Sequence, residues 1–411
     1  MNVLILAYAC DPLKGSEPGV GWNMSVALSK IHNVIVLTRR KNKRNIEDFI
    51  SKHPLENISF VYHDLPERWM WIKKKVSEQA YYMLWNLTAK NVVKSIIKND
   101  NIDILHHLTF NQYRTPSAGY FANKPFVVGP VGGAELINPV FYSELMPSTL
   151  KREKFRRKGR DRILFRWLGQ RTNAKKAFVF SAKENAVRLE KYINTNRDII
   201  KVLPAIAIDK DDFAIDCTCQ DSHQPFTMIY AGRALDWKGL HVFLMALAKV
   251  RVQLSNIKVL LIGIRDDKER KMVGGWMREL ELDECVELID FMPRNELIKR
   301  LAYANLFIYP AFRDSGSMAI LEACALGCPS IAFDAGGQDA FPDDTIVKVK
   351  IKDSLEDTIN EFSDKLIWAY ENQGRLKGYG ERAKNFALSQ MTWEYKAKQI
   401  SDIYYEVYRK G

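Results

Sequence analysis

The chain has 411 residues, 47% hydrophobic and 27% charged, a length that outgrows one core and suits two domains of roughly 150–200 residues. No run reaches the ~20 apolar residues of a membrane span, and the start "MNVLILAYACDP" lacks a basic leader region, so a cytoplasmic chain is expected. The net charge of +12 is local: Lys151 to Lys176 holds twelve Lys or Arg against two acids, leaving the remainder close to neutral.

Short apolar runs alternate with helical periods. In the first half the expected strands are "NVLILAY", "NVIVLTR", "ISFVYHD", "IDILHHLTF", "PFVVGPV" and "AFVFSA", with helices such as Trp22 to Ile31 and Ala80 to Ile97 between them. The second half repeats this grammar in "FTMIYAG", "IKVLLIG", "VELIDFM", "ANLFIYPA" and "PSIAFDAGG". Continuously apolar strands separated by helices indicate parallel sheets covered on both faces. Two doubly wound units in tandem follow, meeting where the period breaks between Pro204 and Gln224. We therefore place an N-terminal domain at 1–205 and a C-terminal one at 206–389, with an amphipathic helix at 390–411. The six cysteines form no C-x-x-C pair and read as small core residues, with no metal expected.

Open parallel sheets bind ligands beyond the carboxyl ends of their strands, and the informative loops fall there. After the first strand, Gly15, Gly19 and Gly21 leave the backbone bare ahead of a helix expected to start near Val20 or Trp22. Exposed amides at such a start favour an anion; a plain glycine-rich turn is the competing reading, and the dinucleotide G-x-G-x-x-G is absent. His106 and His107 end a strand, where histidine serves as donor or base or as a satisfied structural side chain. In "GPVGGAE", Gly132 and Gly133 permit close approach, with Glu135 placed either to bind a hydroxyl or to sit in solvent.

The basic segment contains Ile163, Leu164, Trp167 and Leu168 at helical spacing, and "RWMWIKKKV" sets Trp69 and Trp71 beside Lys73, Lys74 and Lys75. Tryptophan among clustered cations suits an anionic membrane surface. An apolar stripe packed on the core is the alternative; no nucleic-acid motif accompanies the charge.

In the second half, "YAGRALDWKGL" puts Arg233 and Lys238 on a loop entering a helix, an arrangement that suits a diphosphate or a solvated surface pair. "FRDSGSMAILEACALGCP" then places Asp314, Ser315, Gly316, Ser317 and Met318 before a helix over about 319–326, with Glu322 one turn in. Carboxylates bind vicinal hydroxyls, and small residues admit a phosphate to helix amides. A capped helix with a stray acid is the plainer reading.

"GRALDWKG" followed by "DSGSMAILEACALGCPSIAFDAGG" resembles the donor-binding half of retaining glycosyltransferases of the GT-B fold, the family 4 (group 1) type. "YACDPLKGSEPGVGW", "HHLTFNQYRTPS" and "GPVGGAE" resemble one branch of it, so matches run in order from residue 1 to about 340. The resemblance implies an α/β fold of two Rossmann-like doubly wound domains facing across a cleft, with the C-terminal helix crossing back onto the first. It implies transfer of a sugar from a nucleotide diphosphate to a hydroxyl of a glycan or lipid-linked acceptor, as in bacterial surface polysaccharide synthesis.

Carried over residue by residue, Arg233 and Lys238 hold the diphosphate and Glu322 the ribose. Asp314 with Ser315, Gly316, Ser317 and Met318 contacts the sugar and distal phosphate, and Phe291 and Met292 flank the base. His106, with His107 as the alternative register, is the active-site histidine; Gly19 and Gly21 close over the phosphates. Glu17, Gly132, Gly133 and Glu135 fall to the acceptor. Asp314 departs from the family's Glu-x7-Glu by one methylene, and the Pro-Asn-Gly linker is replaced by "LPAIAID".

A UDP-sugar is favoured because nothing reads a purine; no cofactor or metal is expected, since two cations already serve the phosphates. The remaining expectations are peripheral contact with the inner face of the cell membrane through Lys151–Lys176 and Trp69–Lys75, and no nucleic acid. A sugar-nucleotide epimerase and an inactive nucleotide-sugar-binding subunit are the rival functions.

Overall fold

The computed structural model describes residues 1–69, 77–110, 112–114, 117–159, 173–214, 225–316 and 318–409. They divide into two compact units. The first comprises Met1–Ala134, Gly159–Ala207 and Trp393–Gly411, the second Glu135–Lys158 and Ile208–Thr392.

The first unit holds a parallel sheet of β1 (Asn2–Leu6), β2 (Asn33–Arg39), β3 (Ile58–His63), β4 (Ile104–His107), β5 (Phe126–Val131), β6 (Lys176–Phe180) and β7 (Ile199–Val202), in the order β3-β2-β1-β4-β5-β6-β7. Successive side chains of β1 enter different cores. Val3 and Ile5 pack with α1 (Ser16–Ser29) and the C-terminal helix, whereas Leu4 and Leu6 pack with Tyr81, Tyr82 and Trp85 of a helix at Glu78–Asn99. Both faces are covered, so each strand reads as an unbroken apolar run.

The second sheet contains β8 (Phe226–Ala231), β9 (Ile257–Ile262), β10 (Val286–Ile289), β11 (Leu306–Tyr309), β12 (Ser330–Phe333) and β13 (Val347–Val349), ordered β10-β9-β8-β11-β12-β13 and parallel throughout. β7 and β13 are the two strands that the sequence patterning did not separate from their surroundings; both lie at a sheet edge and are short.

The C-terminal helix spans Trp393–Arg409, and its Trp393, Ala397, Ile400, Tyr404 and Val407 join the core beneath β1. The chain crosses between the units at 134/135, 158/159, 207/208 and 392/393, and Ile208 pairs with Thr392 as an isolated bridge.

Residues 135–158 correct the expected division: although they lie within 1–205, they belong to the second unit. The cause is apolar. Ile137, Phe141 and Leu145, four apart, are buried in the second core with Phe312 and Phe333, and Phe141 stacks on Phe312 at 4.0 Å. The helix that follows, Pro147–Lys158, contains the first basic residues of Lys151–Lys176 and therefore also belongs there. The amphipathic core of that segment, Ile163 to Leu168, lies outside the described residues, as do Trp71 and Lys73–Lys75.

Candidate active site

In the second unit the carboxyl ends of β8, β10 and β11 carry the predicted donor residues. The chain order reverses between the adjacent central strands β8 and β11, the place where open α/β sheets form a binding crevice. Lys238 leaves the β8 loop and Asp314 the β11 loop, and they meet: Lys238 Nζ lies 2.7 Å from Asp314 Oδ2 and 3.0 Å from Tyr309 Oη. Tyr309, the last residue of β11, also donates its hydroxyl to Asp314 Oδ2. Gly316 N donates to the other carboxylate oxygen at 3.2 Å, and Gly337 N to the Asp314 carbonyl at 2.7 Å.

Burial works against the Asp314 charge. The Lys238 ammonium and the Lys238, Tyr309 and Gly316 hydrogen bonds outweigh it and hold the carboxyl below the usual range. Gly239 makes the meeting possible. It is left-handed (φ 67°), and a Cβ there would overlap the Pro310 carbonyl and the Phe312 ring, so only glycine lets the two loops touch.

Arg233 points elsewhere. Its guanidinium binds Glu269 Oε1 through Nε at 3.1 Å and Nη2 at 2.5 Å, and the Arg233 side chain remains 62% exposed. Glu269 also accepts from Ala234 N at 3.0 Å, so it orients the whole turn. Glu322 lies in the second turn of a helix at Met318–Ala325, where Arg294 Nε and Nη2 both reach its Oε1 at 3.1 Å. Burial raises the Glu322 carboxyl above its ordinary value, with Arg294 pulling the other way. Arg294 continues to Asp212 at 3.0 Å, tying the segment entering the second unit to the site. Phe291 is 56% exposed under the Arg265 guanidinium, 4.1 Å from its ring centre, beside half-buried Met292. Ser315 is half-buried; Ser317 lies outside the described residues.

Glu269, Arg294 and Tyr309 were missed by the sequence reading. Tyr309 had a signal, a hydroxyl-bearing residue at the carboxyl end of a strand. Glu269 stands among many charges in "RDDKERK" and had none.

In the first unit several expectations change. α1 starts at Ser16 rather than at Val20 or Trp22, because Pro18 falls in the first turn, where a missing N–H costs nothing. Gly19 and Gly21 are therefore buried helical residues and not bare loop. A Cβ on Gly21 would overlap the Ala9 carbonyl and reach Thr109, so its smallness serves helix-to-strand packing. Glu17 is on that first turn and accepts from Phe110 N, linking α1 to the loop after β4.

His106 is fully buried: Nδ1 contacts Tyr404 Oη at 2.6 Å and Nε2 the Gly129 carbonyl at 2.8 Å. Strand alternation sends His107 to the opposite face, against Tyr82 Oη at 2.8 Å and the Thr109 carbonyl at 3.0 Å. Burial lowers both imidazoles to about 4. His106 thus ties the C-terminal helix to β4 and β5, and neither histidine faces outward. Gly133 turns left-handed (φ 87°) after Gly132, which bridges to Gln112. Glu135 is 1% exposed rather than solvated and begins the segment belonging to the second unit.

Among the described residues no group of three or more His, Cys, Asp or Glu could hold a metal, and no helix is long and apolar enough to cross a membrane. Cys10, Cys324 and Cys328 are buried thiols; Cys217 and Cys219 lie outside the described residues.

Residues 220–386, which carry the second-unit loops described above, match the family model "Glycosyl transferases group 1". That match lies within the second unit. An uncharacterized glycosyltransferase of Methanocaldococcus jannaschii is 25% identical over 239 residues, 56% of this chain and 59% of the relative. The amylovoran biosynthesis glycosyltransferase AmsK of Erwinia amylovora is 27% identical over 121 residues, 28% and 29% of the two. These matches span less than two thirds of the relatives' own lengths. Anabaena HepE, solved in complex with UDP, superposes with a TM-score of 0.62 at 15% identity, covering 98% of this chain and 99% of that one. That likeness is one of fold: two Rossmann-like parallel sheets, the GT-B architecture.

Proposed function

We propose that the protein is a retaining glycosyltransferase that moves a sugar from a nucleotide diphosphate sugar, UDP in the first instance, to a hydroxyl of a glycan or lipid-linked acceptor. The observation that carries this reading is the Lys238–Asp314–Tyr309 cluster between β8 and β11, inside the group 1 domain. An ammonium and a carboxylate held together suit a ligand that presents a phosphate oxygen beside sugar hydroxyls. An incoming diphosphate competes with Asp314 for Lys238 and frees the carboxylate to accept from the sugar.

In this reading Arg233, on the adjacent turn, holds the second phosphate from its exposed position. The amides of Ser315, Gly316 and Met318, ahead of and at the start of the helix Met318–Ala325, take up negative charge developing on the leaving group. Glu322, fixed by Arg294, accepts from the ribose hydroxyls. Phe291 and Met292 flank the base. UDP is favoured because HepE was solved with UDP and, among the described residues, none specifically reads a purine.

As the bond from the anomeric carbon to the diphosphate oxygen breaks, the acceptor oxygen bonds that carbon on the same face. The acceptor's proton passes to the released diphosphate. Buried His106 and His107 play no part in that transfer; the acceptor falls to Glu17 and the Gly132–Glu135 turn. Lys238 and Arg233 supply the charge that a metal would otherwise provide, so no metal takes part.

A polysaccharide acceptor accords with the relative named for amylovoran biosynthesis. Peripheral attachment to the inner face of the membrane draws on Arg156, Arg157 and Lys158 beside the exposed Phe155, and on exposed Trp69.

The experiment is incubation with UDP-, GDP- and ADP-sugars and a panel of membrane glycolipid extracts. Expected is a sugar-bearing product with unchanged anomeric configuration, formed from the UDP donor. Isomerised donor without an acceptor would make the protein an epimerase, and nucleotide binding with neither transfer nor hydrolysis would make it a binding subunit.

A further inference from the structure

Residues 135–158 leave the strand order of the first unit after Ala134 and return to it at Gly159, having joined the core of the second. Several of their polar contacts fall on or beside a donor loop. Glu144 Oε2 reaches His241 Nδ1 in the first turn of the helix after Gly239, at 2.7 Å. Met146 N donates to Asp236 Oδ2 at 2.8 Å, and Asp236 opens the turn that ends in Lys238. Phe141 stacks on Phe312 with an interplanar angle of 9°, and Glu153 Oε2 binds Arg313 Nη1 at 2.8 Å. Phe312 and Arg313 immediately precede Asp314.

The Glu153–Arg313 pair is built to last. Glu153 is 1% exposed and Arg313 16%. Glu153 Oε1 also accepts from Ile137 N at 2.9 Å, while Arg157 donates to the Ile137 carbonyl at 3.0 Å. The buried carboxyl group is thus bonded by one guanidinium and one backbone amide. No sugar or phosphate chemistry requires an ion pair at that depth. What it fixes is the residue before Asp314.

We infer that residues 135–158 act as a brace for the two loops that grip the donor, and that Glu153 is a positioning residue for Asp314, acting through Arg313. The role assigned to Asp314 rests on the glycosyltransferase reading; the bracing itself does not. A shorter acid at 314 reaches less far than a glutamate, so its backbone must be held more tightly to present the carboxylate at the sugar. The brace and the Tyr309 hydroxyl do this at adjacent residues: Arg313 is gripped by Glu153, Asp314 by Tyr309 and Lys238.

The test uses the full chain and two readouts. Backbone amide exchange is followed at Gly316 and Gly337, whose N–H groups both bond Asp314, together with donor KM and kcat, in Glu153→Gln, Arg313→Lys and wild type. Glu153→Gln keeps the acceptor for Ile137 N and removes the charge. We expect ~10-fold faster exchange at Gly316 and Gly337, unchanged exchange in β8 and β9, and a ~10-fold loss in kcat/KM for the sugar donor. Arg313→Lys, which keeps the charge pair, should restore most of both. Unchanged exchange at the two glycines, or acceleration across the entire second unit, would overturn the inference. Should the wild type turn over no nucleotide sugar, the glycosyltransferase reading fails, while the exchange pattern still decides the brace.

Discussion

Replacing His106 with leucine separates a structural histidine from a catalytic one. In the folded chain its imidazole is lowered from 6.5 to about 4 by burial, partly offset by the Gly129 carbonyl. A depression of that size corresponds to about 3 kcal/mol of stability that is present above pH ~6.5 and lost as pH falls toward 4, because the unfolded chain takes up the proton first. At pH 7.5 His106→Leu should cost about 2–4 kcal/mol, since the Tyr404 hydroxyl and the Gly129 carbonyl lose their buried partner. As pH drops the variant has no imidazole to charge at that position, so the gap to wild type should narrow by about 3 kcal/mol near pH 4. Denaturant melts from pH 7.5 to 4.5, with amide exchange in the C-terminal helix, measure this directly. A variant as stable as wild type at pH 7.5 but inactive would refute the reasoning and return His106 to the reaction.

Lys396, fully buried on the C-terminal helix with its ammonium on the Pro204 carbonyl at 2.7 Å, is lowered to about 7 by burial. The unfolded chain holds that proton up to about pH 10, so wild-type stability should rise as pH climbs from 7 to 10. Urea unfolding of Lys396→Met should lose that slope; an unchanged slope would show that another group produces it. For the membrane proposal, wild-type protein should sediment with anionic liposomes at low salt and be released at 0.5 M salt. Equal recovery with neutral vesicles would dismiss it.

The sheets were legible because strands buried on both faces are written as uninterrupted apolar runs, and helices between them keep a 3.6-residue period. The positions of the candidate loops were legible for a related reason: Arg233, Lys238 and Asp314 follow strand ends, where short-range rules place them. What stayed hidden depends on tertiary contact. Ile137, Phe141 and Leu145 repeat every four residues like any core helix, and nothing local says which of two cores they enter. His106 and His107 differ only in register, so a single strand decides which meets Tyr404 and which meets Tyr82. Gly21 looked like phosphate-loop glycine because close packing on Ala9 and close approach to a ligand demand the same absence of a side chain. Arg294 was one residue among several charges until Glu322 and Asp212 were seen to converge on it.

The central claim is that the group 1 domain grips a nucleotide diphosphate through the Lys238–Asp314 cluster. Calorimetric titration of UDP into wild type and Lys238→Ala tests it most directly. Saturable binding to wild type, weakened at least ~10-fold in Lys238→Ala with the melting temperature little changed, is the predicted result, since a charge-assisted phosphate contact is lost. Equal affinity in both proteins, or no binding of any nucleotide diphosphate by wild type, would contradict it.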